Sequence, residues 1–356
     1  MSIDLGLRSS ARPYLIAEIG VNHEGDLSRA KHLIELAAEG GADAAKFQSY
    51  SADLLARADS PAYWDTSKES ATSQRELFRR YDKFGVEDYE ELARACEEAS
   101  IDFMTTAFDE RWVQALNHLV GVWKIASADI TNVPLIRAVA NTRKPIILST
   151  GAASRPEIAR ATQWLREAGA SSITLLHCVL NYPTPRENAQ LSTIRALRRW
   201  FPTFPVGYSD HVPPTDDGGL PALIRAVEHG ATVLEKHFTD TPDASGNDHY
   251  HAATAEMLRQ FRDELRIREI LDGEEPVDDK DLEAEVAART FARRGIVVAR
   301  SIDEGDTIRA ADLRALRPAD GAIPVENWDV VVGRRAVTAV EAGAPLRWAD
   351  LEAEDA

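Results

Sequence analysis

The chain has 356 residues, a formal charge of −17 and 44% hydrophobic residues, values of an ordinary soluble globular protein. Such a length accommodates one large domain and a smaller one, while such acidity excludes nucleic acid as a partner because phosphate repels it. No apolar run approaches the roughly 18 residues that a membrane span requires, so no membrane partner is expected.

The amino terminus, Met1-Ser2-Ile3-Asp4-Leu5-Gly6, has neither a basic head nor a long apolar stretch. No signal peptide is therefore expected, and the protein reads as cytoplasmic. From there, short β-rich runs alternate with amphipathic helices. Strands are predicted at residues 14–19, 44–47, 102–107, 122–126, 145–149, 172–177, 205–208 and 232–237. Helices are predicted at 28–39, 87–99, 111–119, 135–140, 155–168, 191–200, 220–229 and 255–271, each with apolar residues at i, i+3 and i+4. Strand–helix units repeated in this way fit a (β/α)8 TIM barrel of about 250 residues. A doubly wound open sheet is the runner-up, but no glycine-rich dinucleotide fingerprint follows the first strand.

One connection, residues 49–84, is far longer than the rest and carries Tyr63-Trp64 and Ser73-Gln74-Arg75-Glu76-Leu77-Phe78. A loop of this length is functional or disordered, and its aromatic content predicts a partly helical lid or rim. The two cysteines, Cys96 in a predicted helix and Cys178 just past a strand, read as buried free thiols in a reducing compartment.

A boundary follows Ile270-Leu271-Asp272-Gly273, closing a barrel domain of residues 1–273. Residues 274–284 are acidic, contain Pro276 and read as a linker. Residues 285–356 form a small β-rich module, with strands predicted at 295–299, 306–308, 330–333 and 335–337. Within it, Ile302-Asp303-Glu304-Gly305-Asp306-Thr307-Ile308-Arg309 resembles Val340-Glu341-Ala342-Gly343-Ala344-Pro345-Leu346-Arg347, an internal repeat.

Polar residues crowd the carboxyl ends of the predicted strands, where barrels of this kind gather their chemistry. His211 and His237 each end a short apolar run, so two strands could hold one divalent ion between their imidazoles. Each histidine alone reads as structural; the pair at equivalent positions favours ligation. Imidazole with oxygen ligands suits manganese, zinc, iron or cobalt, and two histidines leave positions open for water and substrate. Asp210 could orient an imidazole or cap the next helix. Lys46 and Lys124, with Thr106, Ser127, Ser149 and Ser209, form a cationic, hydroxyl-rich cradle suited to a phosphate or a phosphate plus a carboxylate. The alternative for the two lysines is an internal ion pair with Glu18 or Asp129.

These residues resemble the N-acetylneuraminate (sialic acid) synthase family. The resemblance is carried by YLIAEIGVNHEG at 14–25, Ala45-Lys46-Phe47-Gln48, Trp123-Lys124-Ile125-Ala126-Ser127 and Ile147-Leu148-Ser149-Thr150-Gly151. It continues through His177-Cys178, Tyr182-Pro183-Thr184-Pro185, residues 207–211 and residues 234–239. The tail, through Leu316-Arg317-Pro318, is similar to that family's antifreeze-like SAF (β-clip) domain. The resemblance implies a condensation of phosphoenolpyruvate with an N-acetylated hexose, such as N-acetylmannosamine or a 6-deoxy diacetamido hexose, releasing phosphate by C–O cleavage. It implies a divalent metal, commonly manganese with magnesium or cobalt as alternatives, on His211 and His237. Lys46, Thr106, Lys124, Ser127, Ser149 and Ser209 would hold phosphoenolpyruvate. Glu18, Gln48, Tyr182 and Asp248 would face the sugar, Glu18 and Asp129 being the catalytic carboxylates. A domain-swapped homodimer is also implied, in which Arg317 reaches the sugar of the second subunit. By sequence alone, Arg317 is an ordinary surface arginine.

Three positions depart from the family pattern. Asp129 stands where Glu is usual, Leu180 where Asn is common, and Asn247 where Pro is more usual. They surround the sugar and water sites, so they bear on which sugar is used rather than on reaction class. Two other readings stay open: another phosphoenolpyruvate-condensing barrel aldolase, and a sugar-binding relative without turnover.

Overall fold

The computed structural model describes residues 12–62, 64, 66, 70–244, 246, 248–273 and 282–353. Tyr63, Asn247 and most of the expected linker, 274–281, lie outside the described residues. The chain divides into two compact units, Met1–Gly273 and Glu274–Ala356.

The first unit is a closed parallel barrel of eight strands in sequential order. The strands are β1 (Tyr14–Gly20), β2 (Ala44–Ser49), β3 (Asp102–Ala107), β4 (Trp123–Ile125), β5 (Ile146–Ser149), β6 (Ile173–Cys178), β7 (Val206–Asp210) and β8 (Val233–His237). The β1–β8 pairing closes the cylinder, which removes the open-sheet alternative. Helices α1 (Leu27–Glu39), α2 (Ala52–Leu55), α3 (Gln74–Tyr81), α4 (Val86–Glu98), α5 (Glu110–Leu116), α6 (Val133–Asn141), α7 (Arg155–Glu167), α8 (Ser192–Trp200), α9 (Pro221–Glu228) and α10 (Ala255–Asp272) fill the connections. Their starts are chemically marked. Asp26 accepts from the Arg29 amide at 3.0 Å, and Asp109 from the Arg111 and Trp112 amides at 3.0 and 3.2 Å. Each satisfies backbone donors that have no partner inside the helix.

Strand periodicity explains where the site can be. Residues two apart share a face. Tyr14, Ile16, Ala44, Met104, Val122, Ile147, Leu176 and Val233 pack as one buried apolar cluster separate from the helix-facing core. The same inward registers, continued toward the carboxyl ends, bear Glu18, Lys46, Thr106, Lys124, Ser149, Ser209 and Glu235. The barrel interior is thus an apolar plug beneath a polar floor. Gly207 in β7 lies opposite Leu176 in that plug, and a Cβ there would come within 2.1 Å of the Val233 carbonyl oxygen.

The long connection after β2 contains α2 and α3, as its composition suggested. Cys96 and Cys178 are both free and buried. No helix among the described residues is long and apolar enough to cross a membrane.

The second unit has its own core, centred on Ile296, Val298, Ile308, Ile323, Val331 and Leu346. After α11 (Val286–Phe291), strand β9 (Gly295–Val298) pairs antiparallel with β10 (Leu313–Leu316), which the sequence reading had not placed. The internal repeat is real in three dimensions. Ile302 and Val340 exchange reciprocal backbone hydrogen bonds of 2.9 Å. The Asp312 and Asp350 carboxylates each accept from the amide three residues earlier, Arg309 and Arg347, at 2.8 Å. Gly305 and Gly343 both adopt φ of 88°, which L side chains rarely reach. Three expected strands are not strands. Residues 306–308 and 335–337 meet others only through single bridges, such as Thr307 with Arg335. Residues 330–333 instead run through the end of helix α12 (Trp328–Val331). The valine run favours a strand by propensity, but packing decides: Trp328 and Val331, one helical turn apart, both meet the core while Val330 is exposed.

Candidate active site

A cavity of about 440 Å3 opens at the carboxyl ends of the strands. Of the residues singled out from sequence, Glu18, Lys46, Gln48, Thr106, Lys124, Ser127, Asp129, Ser149, Tyr182, Ser209, His211, His237 and Asp248 all line it. Arg317 belongs to the other unit, where it is exposed. Leu180 also lines the cavity, and Tyr50, Leu55, Gln74, Leu77, Phe78 and Tyr81 from the α2–α3 segment form part of its wall.

The cradle is built from paired charges. Lys46 donates to Thr106 Oγ1 at 3.1 Å and is ion-paired with Glu18, while Gln48 Nε2 donates to Glu18 Oε1 at 2.8 Å. Neighbouring strands impose this, since Glu18 is in register with Lys46, and Thr106 with Lys124. Glu235 stands between the lysines, 3.3 Å from Lys124 Nζ and 3.7 Å from Lys46 Nζ, and it accepts from Ser209 Oγ at 2.8 Å. The internal ion pair weighed above therefore exists for Lys46 and Glu18. Lys124 pairs with Glu235 and not with Asp129, because Glu235 projects inward from β8 whereas Asp129 sits beyond β4 in a helical turn at Ser127–Asp129. Ser127 Oγ accepts from the Gly151 amide at 2.9 Å, and buried Ser149 Oγ has no hydrogen-bond partner among the described residues.

Electrostatics follow from burial and pairing. Desolvation would raise Glu235, but the Lys124 and Lys46 ammonium groups outweigh it and carry the carboxyl down to about 2. Burial opposes charge on Lys46, yet Glu18 and Glu235 raise its pKa; burial lowers Lys124. Asp129 is pushed above the usual carboxylate range by burial, opposed by a 2.9 Å hydrogen bond from Asn132 Nδ2. Asp248 is raised to about 7, by burial and then by Glu18.

The imidazoles converge. The His211 and His237 ring centroids are 5.3 Å apart, and Tyr182 packs on His211 at 4.2 Å. His211 donates Nδ1–H to the Val179 carbonyl at 2.8 Å, leaving its Nε2 with the lone pair a metal needs. His237 Nδ1 lies 3.6 Å from Asp248 Oδ2 and has no hydrogen-bond partner among the described residues. Burial, then His251, holds His237 well below the usual imidazole range, so the ring is neutral. This unpartnered buried nitrogen beside a carboxylate fits a divalent ion.

Two residues escaped assignment from sequence. Glu235 stands two residues before His237 on the same predicted strand, and the sequence assigns it no role. His251, which lies against His237 at 4.6 Å between centroids, was not singled out. The run Asp248-His249-Tyr250-His251, dense in titratable groups, was its one available signal. Asp210 does neither of the things expected of it. It accepts from Lys236 Nζ, Tyr208 Oη and the Val212 amide at 2.8, 2.9 and 2.8 Å, neutralising a buried lysine on the outward register.

Comparison with known proteins agrees with this architecture. Residues 33–276 match the NeuB family and residues 293–352 the SAF domain. The N,N'-diacetyllegionaminic acid synthase of Legionella pneumophila is 34% identical over 352 residues, 97% of this chain and 96% of that protein. Among solved structures, a spore coat polysaccharide biosynthesis protein E from Chromobacterium violaceum superposes with a TM-score of 0.74 at 26% identity, covering 96% of this chain and all of that one. An N-acetylneuraminic acid (sialic acid) synthetase from Leptospira borgpetersenii, in complex with citrate, gives 0.66 at 31% identity over 79% of this chain and 92% of that one. The chain belongs to the NeuB family and is an enzyme of the synthase type, a barrel followed by a SAF domain.

Proposed function

We propose that this enzyme is a nonulosonic acid synthase that condenses phosphoenolpyruvate with an N-acetylated hexose in its open-chain form. The observation that carries the reading is that one cavity joins a lysine–hydroxyl cradle to a pair of adjacent imidazoles. The synthase names of the relatives support the same reaction class.

In this reading Lys46 and Lys124 meet the phosphate and carboxylate of phosphoenolpyruvate, while Thr106, Ser127, Ser149 and Ser209 supply directional donors. His211 and His237 would hold a divalent ion, manganese first with magnesium or cobalt as alternatives. When bound, the ion supplies Lewis acidity at the sugar aldehyde. Glu18, Gln48, Tyr182 and Asp248 orient the hexose so that its C1 faces C3 of phosphoenolpyruvate. Holding the two carbons together accounts for much of the rate, since effective molarity contributes roughly 7–11 kcal/mol. As the new C–C bond forms, C2 becomes electron-poor. Asp129, its pKa raised by burial, takes a proton from the water that adds there. Phosphate then leaves with the C2–O bond electrons as the added C2 hydroxyl gives up its proton and becomes the keto oxygen, while the alkoxide formed from the aldehyde takes up a proton to become a hydroxyl. Arg317 from a second copy of the chain completes the sugar site, making a domain-swapped homodimer the working unit.

The test is phosphate release from phosphoenolpyruvate with a panel of N-acetylhexosamines and diacetamido hexoses, with and without manganese. Metal-dependent release with one sugar supports the synthase. Release only with a phosphorylated sugar favours another condensing aldolase, and binding without release favours a non-catalytic relative.

A further inference from the structure

We propose that His251 is a third imidazole ligand of the metal centre, joining His211 and His237 beside the Asp248 carboxylate. The proposal rests on the reading above only in placing a divalent ion beside His237.

The loop after β8 brings His251 there by several anchors. The Ala253 amide donates to the His237 carbonyl at 2.7 Å, and Tyr250 Oη donates to the Tyr182 carbonyl at 3.1 Å. His249 is turned the other way, with Nδ1 2.8 Å from Thr239 Oγ1 and Nε2 3.6 Å from Glu24 Oε1. That leaves His251 facing inward, 0% exposed. Its ring centroid lies 4.6 Å from that of His237 and 5.8 Å from that of His211. One ligand atom each from His237, Asp248 and His251 fall within 4.8 Å of one another. Small side-chain adjustments would bring such a set onto one ion.

The competing view is that His251 is only packing. Other buried histidines here show what packing looks like. His23 Nδ1 accepts from the Gly25 amide at 3.0 Å, and His177 Nε2 lies 2.8 Å from the Ala189 carbonyl. His249 is likewise hydrogen-bonded. Neither nitrogen of His251 has a hydrogen-bond partner among the described residues, nor does Nδ1 of His237 next to it. Buried polar atoms without partners are rare, and here one nitrogen each of His251 and His237 stands where a single cation would take both lone pairs. A centre with this many protein ligands binds its ion before either substrate arrives. Being nitrogen-rich, it ranks cobalt above manganese.

The experiment uses the full chain stripped with chelator. MnCl2 and CoCl2 are titrated calorimetrically without substrates, for wild type, His251→Phe and His251→Ala, with bound metal counted by mass spectrometry. Phe keeps the ring volume and has no donor. The expected result is one equivalent per chain in wild type, tighter for cobalt, with affinity lowered about tenfold or more in both variants and unchanged circular dichroism. Unchanged affinity in folded variants overturns the proposal. If neither variant folds, pulsed electron paramagnetic resonance of wild-type manganese protein decides, three coupled imidazoles supporting the assignment and two overturning it. Metal loss in His251→Phe from a wild type that releases no phosphate would sink the synthase reading and keep the site. Turnover with unaltered metal affinity in the variant would do the reverse.

Discussion

Oε1 of Glu235 lies 3.3 Å from Nζ of Lys124, and its second oxygen lies 3.7 Å from Nζ of Lys46. One buried carboxylate thus bridges both cations that the proposed phosphate site depends on, with Glu18 as the second anion beside Lys46. Its pKa falls from 4.5 in the unfolded chain to about 2 when folded. A depressed carboxylate adds stability that is complete above pH 4.5 and disappears as pH falls toward 2. The contribution is on the order of 3 kcal/mol.

Glu235→Gln should therefore lose about 3 kcal/mol at pH 7, because two buried ammonium groups are left under-compensated. Its stability should also change less than that of wild type between pH 4.5 and 2. Urea unfolding followed across that range measures both effects, and an equally steep acid decline in the variant would contradict the assignment.

His211→Ala and His237→Ala should each abolish turnover and lower bound metal while the barrel stays folded. Metal analysis beside circular dichroism checks this. Full activity in either variant would contradict the ligand assignment.

Asp129→Asn should lower turnover by about 10²-fold or more if Asp129 is the base. The base works ionised, so the acid side of the kcat/KM profile falls as pH drops through its raised pKa. Asn132→Ala removes the hydrogen bond that favours the anion. It should move that limb to higher pH with little change in the plateau. A limb that stays put would assign it to another group.

Arg317→Ala should weaken sugar use with no loss of thermal stability, since the side chain is exposed. Mixing Arg317→Ala protein with Asp129→Asn protein, after dissociation and reassembly, should restore about a quarter of wild-type activity if the arginine acts across a symmetric dimer. No recovery would place it within its own chain or outside the site.

Gly207→Ala should destabilise the barrel by about 2–3 kcal/mol, since an added methyl must push β7 away from β8 or displace Leu176. Thermal denaturation tests this directly. A neutral substitution would mean that the plug beneath the site is looser than its packing implies.

Much of this molecule is written locally. The eight strands are legible because each is a short, largely apolar run with polar residues at or near its carboxyl end, and alternation along a strand is a local rule. Lys46 and Gln48, or Glu235 and His237, must share a face wherever β2 and β8 lie, so the inventory of the barrel mouth could be assembled residue by residue. The repeat in the second unit is visible for the same reason: two stretches with the same turn glycine and the same Asp cap fold alike.

What closure of the barrel alone decides is partnership. Glu18 meets Lys46 because β1 and β2 pair in one register, and Glu235 takes Lys124 away from Asp129 because its side chain projects from β8 into the barrel. Asp210 serves Lys236 rather than an imidazole because both point outward. His251 comes from a loop with no periodicity, so only the folded chain brings its ring to His237. The valine run at 330–332 caps the end of a helix because a core position was available to Val331 but not to Val330. In each case the governing energy comes from desolvation and close packing between distant segments, which no local pattern of residues encodes.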